Sequence, residues 1–230
     1  MVSKTVIAAT IIAIVVVASV GAWYILYYQP STPEELVLTF ATTNEELGSS
    51  IDPAVAMATG ESYLMVQIYD PLFMPDPENE NQPMPWVAES YTVSTDGLKY
   101  TIKIRDGLKF HDGTEVTAED IAFTMDRYLM MKKGFSYLWL GTVENGTTQV
   151  IDDNTVEFNL EVPSATFVSS LTLFHVQNKD LILEHIETGD FGEWGDLGQN
   201  WLAQETETDV GSGPYKLVEF DRLEIMELVK

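Results

Sequence analysis

The chain has 230 residues, 45% of them apolar and 11% aromatic, which is enough to bury one sizeable core or two small ones and excludes a disordered polymer. Twelve Lys and Arg face 36 Asp and Glu, a formal net charge of -24, so no basic stripe is available for counterion release and nucleic acid is excluded as a partner. Cysteine is absent, which removes disulfides, thiolate metal sites, a cysteine nucleophile and the usual bacterial lipid anchor.

No residue between Thr5 and Pro33 is charged, and residues 6–27 are almost wholly apolar. About 20 helical residues cross a bilayer core. Lys4 precedes this run, and Trp23, Tyr24, Tyr27 and Tyr28 cluster at its far end, where an interfacial aromatic belt would sit. Residues 1–30 therefore read as one transmembrane helix with the N-terminus inside. Val20-Gly21-Ala22 keeps a cleaved signal peptide open as the alternative, and both readings export the remainder of the chain. Residues 31–35 come next as a short proline-bearing linker.

Residues 36–41 read as a first strand, and a polar loop holding Asp52-Pro53 leads to a helix over 61–70 that Pro71 ends. Residues 86–93 and 98–104 predict a hairpin around Thr95-Asp96-Gly97, the first of three Asp-Gly turns. The other two are Asp106-Gly107 and Asp112-Gly113. Thr117, with Asp120 three residues on, predicts a capping box and a helix to about Met131. A second hairpin is expected from 149–151 and 155–160 around Asp152-Asp153-Asn154, short helices over 165–174 and 180–186, and a last hairpin from 215–220 and 224–229.

Catalytic patterns are missing. His111, His175 and His185 match no metal-ligand spacing and read as surface or turn residues. Ser212 in Gly211-Ser212-Gly213 lacks the outer glycines of a nucleophile elbow and reads as a turn. Asp76, Glu78 and Glu80 alternate as calcium ligands can, yet Asn81 and Val87 stand where a calcium loop needs glycine and glutamate. Glu119-Asp120 reads as a helix cap. No enzyme, metal or cofactor is expected.

Val87-Ala88-Glu89-Ser90-Tyr91 and the unbroken run from Asp96 through Asp106-Gly107-Leu108-Lys109-Phe110-His111-Asp112-Gly113 resemble the signature of the family 5 extracellular solute-binding proteins, the oligopeptide and dipeptide binders of ABC importers. Val116-Thr117-Ala118-Glu119-Asp120-Ile121, Asp152-Asp153-Asn154-Thr155-Val156 and Gly211-Ser212-Gly213-Pro214-Tyr215-Lys216-Leu217 continue the match in order. The resemblance implies an α/β fold of the periplasmic-binding-protein type II kind. Residues 36–230 would form its first lobe, with 36–60 and 175–230 as lobe core and 61–174 as an inserted subdomain. The opposing lobe is missing from these residues, which read as the N-terminal part of a longer chain.

Its implied function is capture of a short peptide or other small solute and delivery to permease subunits in the membrane. A membrane-anchored sensory or structural module of the same fold is the alternative, and an exported hydrolase a third that lacks a visible nucleophile. Carried over residue by residue, Ala58-Thr59-Gly60-Glu61 matches a loop before the first helix whose backbone pairs with extended ligands. Phe135-Ser136-Tyr137-Leu138-Trp139 matches an aromatic cleft segment. Thr59, Gly60, Glu61, Tyr137 and Trp139 are thus the candidate ligand-binding residues, against a capping loop and buried subdomain aromatics as the structural alternatives.

Overall fold

The computed structural model describes residues 50–57, 59–80, 82–203, 209–221 and 225–230. The expected anchor, linker and first strand lie outside them.

Helix α1 (Thr59–Ile68) starts two residues before its expected place, and the chain then enters a small ribbon of β1 (Phe73–Pro75) and β2 (Pro83–Pro85). β3 (Ala88–Val93) and β4 (Lys99–Ile104) form the first hairpin, with Tyr91 opposite Ile102. Its turn is closed by Ser94 and Asp96, whose carboxylate accepts the Leu98 amide at 3.1 Å. Gly97, Gly107 and Gly113 all have positive φ, of 71°, 74° and 93°, so each Asp-Gly pair serves the left-handed backbone that favours glycine. Trp86, inside the expected strand, lies two residues before β3, and its indole N–H donates to the Asp70 carboxylate at 2.7 Å.

Helix α2 (Ala118–Met131) follows, then β5 (Gln149–Asp152) and β6 (Thr155–Asn159), giving an antiparallel sheet of order β3-β4-β6-β5. Along β4, Tyr100, Ile102 and Ile104 are buried while Lys99 and Lys103 are exposed, the period of two that the sequence shows. Val156 and Phe158 of β6 continue this inner face beneath α2. The expected helix over 165–174 is instead a short α3 (Phe167–Ser170) followed by a 3-10 turn, Leu171–Leu173. This tightening lets the aromatics interleave: ring centroids are 4.8 Å apart for Tyr128 and Trp139, 5.6 Å for Trp139 and Phe174, and 5.5 Å for Phe158 and Phe167.

The start of α2 is held as its sequence predicts. Thr117 is extended, and the Asp120 carboxylate accepts both its backbone N–H, at 2.9 Å, and its hydroxyl, at 2.8 Å. Thr117→Ala should cost about 1 kcal/mol, as lost N-caps do; an unchanged urea midpoint would count against this cap.

Chain segments 70–72 and 174–176 run side by side. Leu72 N–H donates to the Phe174 carbonyl at 3.0 Å and Val176 N–H to that of Asp70 at 3.1 Å, around a bridge between Pro71 and His175. Beyond it come α4 (Lys179–Glu184), α5 (Gln199–Ala203) and the hairpin of β7 (Lys216–Asp221) and β8 (Ile225–Val229). The Gly211-Ser212-Gly213 stretch lies on the end of α1: Gly213 N–H donates to the Ile68 carbonyl at 2.8 Å. A Cβ at Gly211 would sit 2.1 Å from that same oxygen, so close approach, rather than catalysis, demands glycine here.

His111 and His185 lie in turns, as read from the sequence, and only His175 departs from that reading. His175 is buried, with Nε2 unpartnered and its pKa pushed down to about 4 by burial. His111 is only partly exposed, and His185 stacks on Trp201 at 4.0 Å. Bridge formation draws His175 inward, an effect that no local pattern signals.

Candidate functional site

The residues just before the two candidate segments, far apart in sequence, meet at Gly134. Its φ is 52°, and a Cβ there would stand 3.0 Å from the Ala56 carbonyl oxygen and 3.1 Å from that of Ala54. The 3-10 helix Gly134–Leu138 therefore begins against the turn that leads into α1.

Thr59, Gly60 and Glu61 lie in the first turn of α1, not in a loop, so their backbone cannot add to a ligand as an extended strand. The Glu61 carboxylate is buried and accepts the Met57 N–H at 2.7 Å, which fixes the chain's entry into the helix. Gly60 is buried as well. Trp139 is a core residue with no exposed surface; its indole N–H donates to the Ser170 hydroxyl at 2.9 Å and its ring packs on Tyr128 and Phe174. Of the five candidates, Tyr137 alone presents a described side chain to solvent, at 59% exposure, with Phe135 beside it at 6.4 Å between centroids.

Spacing did not point to Met57, Tyr63 and Val66, which are 61%, 66% and 50% exposed. A signal for them was available. Helix α1 carries apolar residues on both faces: Met65 and Ile68 fill the core, so Tyr63 and Val66 are surplus to it. A contiguous exposed apolar patch marks a binding surface, whereas apolar side chains exposed singly are ordinary.

Two polar locks lie in the interior. Arg127 and Asp52 are both fully buried and paired in a fork, Nη1 to Oδ1 at 2.5 Å and Nη2 to Oδ2 at 2.7 Å. The Gln177 side-chain oxygen and the Leu197 carbonyl accept two further Arg127 hydrogen bonds, at 2.5 and 2.9 Å. Four distant segments are thereby joined at one guanidinium. In the second lock, buried Asp209 accepts from the Gly211 and Leu217 amides at 2.9 and 2.8 Å and stands 2.5 Å from His111 Nδ1. His111 Nε2 faces the Gly213 carbonyl at 2.9 Å. Burial lowers the His111 pKa, but hydrogen bonds to Asp209 and Gly213 outweigh it, and the net shift is upward.

Among the described residues no group of three His, Asp or Glu could hold a metal ion. Asp76 instead closes its own turn, accepting the Glu78 amide at 2.9 Å. Both locks join backbone segments and present no paired nucleophile and base, so they bind structure, not substrate.

The fold is that of substrate-binding proteins of the periplasmic-binding-protein type II class. A Bacillus anthracis oligopeptide ABC transporter substrate-binding domain superposes with a TM-score of 0.65 at 26% identity, covering 85% of this chain and 38% of that one. Listeria monocytogenes OppA bound to peptide gives 0.67 at 24% identity, covering 83% and 38%, a likeness of fold. Residues 82–230 match the profile described as bacterial extracellular solute-binding proteins, family 5 middle, and the chain belongs to that family. Among curated relatives, the glutathione-binding protein GsiB of Shigella boydii is 28% identical over 186 residues, 79% of this chain and 32% of the relative. The dipeptide-binding protein DppE of Bacillus subtilis is 32% identical over 158 residues, 61% of this chain and 26% of the relative. The chain thus spans about a third or less of these relatives' length, and they are binding proteins, not enzymes.

Proposed function

We infer that this chain contributes one wall of a solute-binding cleft in an ABC importer, with short peptides as its ligands and membrane permease subunits as the recipients. The observation that carries the reading is the exposed apolar surface of Met57, Tyr63, Val66 and Tyr137, on a chain whose relatives bind glutathione and dipeptides by name. Thr59, Gly60 and Glu61 serve the cleft indirectly, by shaping the head of α1. The inserted subdomain returns at residue 175, where the 70–72 and 174–176 segments pair. Its departure fits Pro71 better than residue 61, because α1 packs on Gly213 and Tyr215 of the lobe core.

A wall alone supplies part of the contact area while a ligand still loses its translational and rotational freedom. Tripeptides should therefore bind these 230 residues no more tightly than about millimolar, roughly -4 kcal/mol. Side-chain resonances of Met57 and Tyr137 should shift on titration. Shifts confined to other surfaces would end the cleft assignment, and micromolar affinity would end the one-wall reading.

The anchor is proposed on sequence alone, since among the described residues no helix is long and apolar enough to cross a membrane. With residues 1–30 in the bilayer and Lys4 inside, the soluble part faces outward. Protease added to intact spheroplasts should release a fragment lacking roughly the first 30 residues; full protection would overturn the export topology.

A further inference from the structure

A groove of about 410 Å³ runs along the outer face of α2, away from the residues assigned to the cleft. Ala122, Phe123, Asp126 and Met130 line it at helical spacing, and Trp194 and Val150 form the opposite wall. Most of this lining is apolar. The Phe123 and Trp194 rings stand 6.4 Å apart at 49°.

The groove's two carboxylates are in different electrostatic states. Glu119 is already neutralised by an ion pair with Lys179. Asp126 is half-buried and accepts one hydrogen bond, from the Gly146 N–H to Oδ1 at 2.7 Å. Among the described residues it has no ion-pair partner. Burial raises its pKa, with only the Gly146 hydrogen bond opposing. A desolvated carboxylate beside aromatic walls is the environment that a compact cation on an apolar stem complements, by Coulomb attraction at one end and cation–π and apolar contact along the rest. A net charge of -24 also raises the local concentration of cations.

We propose that this groove is a binding site for a primary alkylamine, its ammonium against Asp126 and its stem between Phe123, Val150 and Trp194. The volume suits a small ligand of this kind. Because the cleft surface of Met57, Tyr63 and Tyr137 takes no part, the site stands or falls independently of the peptide reading.

Labelling the full chain with 15N-tryptophan gives five indole probes, with Trp194→Phe assigning the one in the groove. Titration with n-butylamine should shift the Trp194 signal and leave the other four in place, while n-butanol, of similar shape and uncharged, should shift it far less. Asp126→Asn keeps an acceptor for Gly146 and removes the charge, so butylamine should bind at least about tenfold more weakly. Equal responses to amine and alcohol would overturn the proposal, as would an unmoved Trp194 signal or an undiminished response in Asp126→Asn. Should that variant misfold, shown by movement of all five signals before titration, the amine and alcohol comparison on the unaltered chain still decides.

Discussion

Asp52→Ala is expected to destabilise the protein by about 3–5 kcal/mol, the usual cost of leaving one member of a buried ion pair without its partner. Asp52 and Arg127 have no exposed side-chain surface, so water cannot replace the lost carboxylate. The loss is compounded locally, because Asp52 Oδ1 also accepts the Ala54 N–H at 2.9 Å in the turn before α1. Against a domain stability of roughly 5–15 kcal/mol this is a large fraction, and the variant should unfold at much lower urea. Adding Arg127→Met should restore part of the loss, since an apolar pair of similar volume avoids the stranded charge. A single variant within about 1 kcal/mol of the parent would mean that the guanidinium finds another counter-charge, and that the lock does not join the four segments.

Stability should also peak over a narrow pH range, because two histidines oppose one another. His175 has a folded pKa of about 4, against about 6.5 in the unfolded chain. Between these values the unfolded state takes up a proton that the folded state refuses, so stability drops as the pH falls from about 6.5 towards 4. At about 1.36 kcal/mol per pH unit the loss is on the order of 3 kcal/mol. His111 acts in the other direction. Its folded pKa is raised, so its contribution is complete below about 6.5 and is lost as the pH rises through the folded value. The charges facing it are Asp209, which favours the imidazolium, and Lys216, which opposes it and donates to the His111 carbonyl at 2.7 Å. Unfolding midpoints across pH should therefore lose their acid slope in His175→Gln and their alkaline slope in His111→Gln. Unaltered slopes in both variants would show that groups other than these two histidines set the pH dependence.

Local patterns foretold the elements and much less of the site. The three Asp-Gly turns, the alternation along β4 and β6 and the Thr117 cap depend on neighbours within a few residues, which is why spacing finds them. Tyr137 was singled out as a candidate for the same reason: the aromatic segment is contiguous. Trp139, two residues later, points the other way into a cluster built from α2, β6 and the 174 segment, and nothing local distinguishes the two rings. Thr59 and Gly60 were placed by resemblance in the loop before the first helix, whereas they form its first turn.

Family membership, the hairpins and helices, and the acidic character of the surface were all legible in residue type and short-range order. Which polar residues are buried, and with whom, emerges only from the folded chain. Asp52 meets Arg127 across 75 positions, and His111 meets Asp209 across 98. Such pairs obey no period. A charge enters the interior only where the whole chain brings it a partner that offsets its desolvation, and that is a property of three-dimensional proximity. The same reason assigns Asp126 to its groove: its lack of a counter-charge among the described residues becomes visible only when its neighbours are in place.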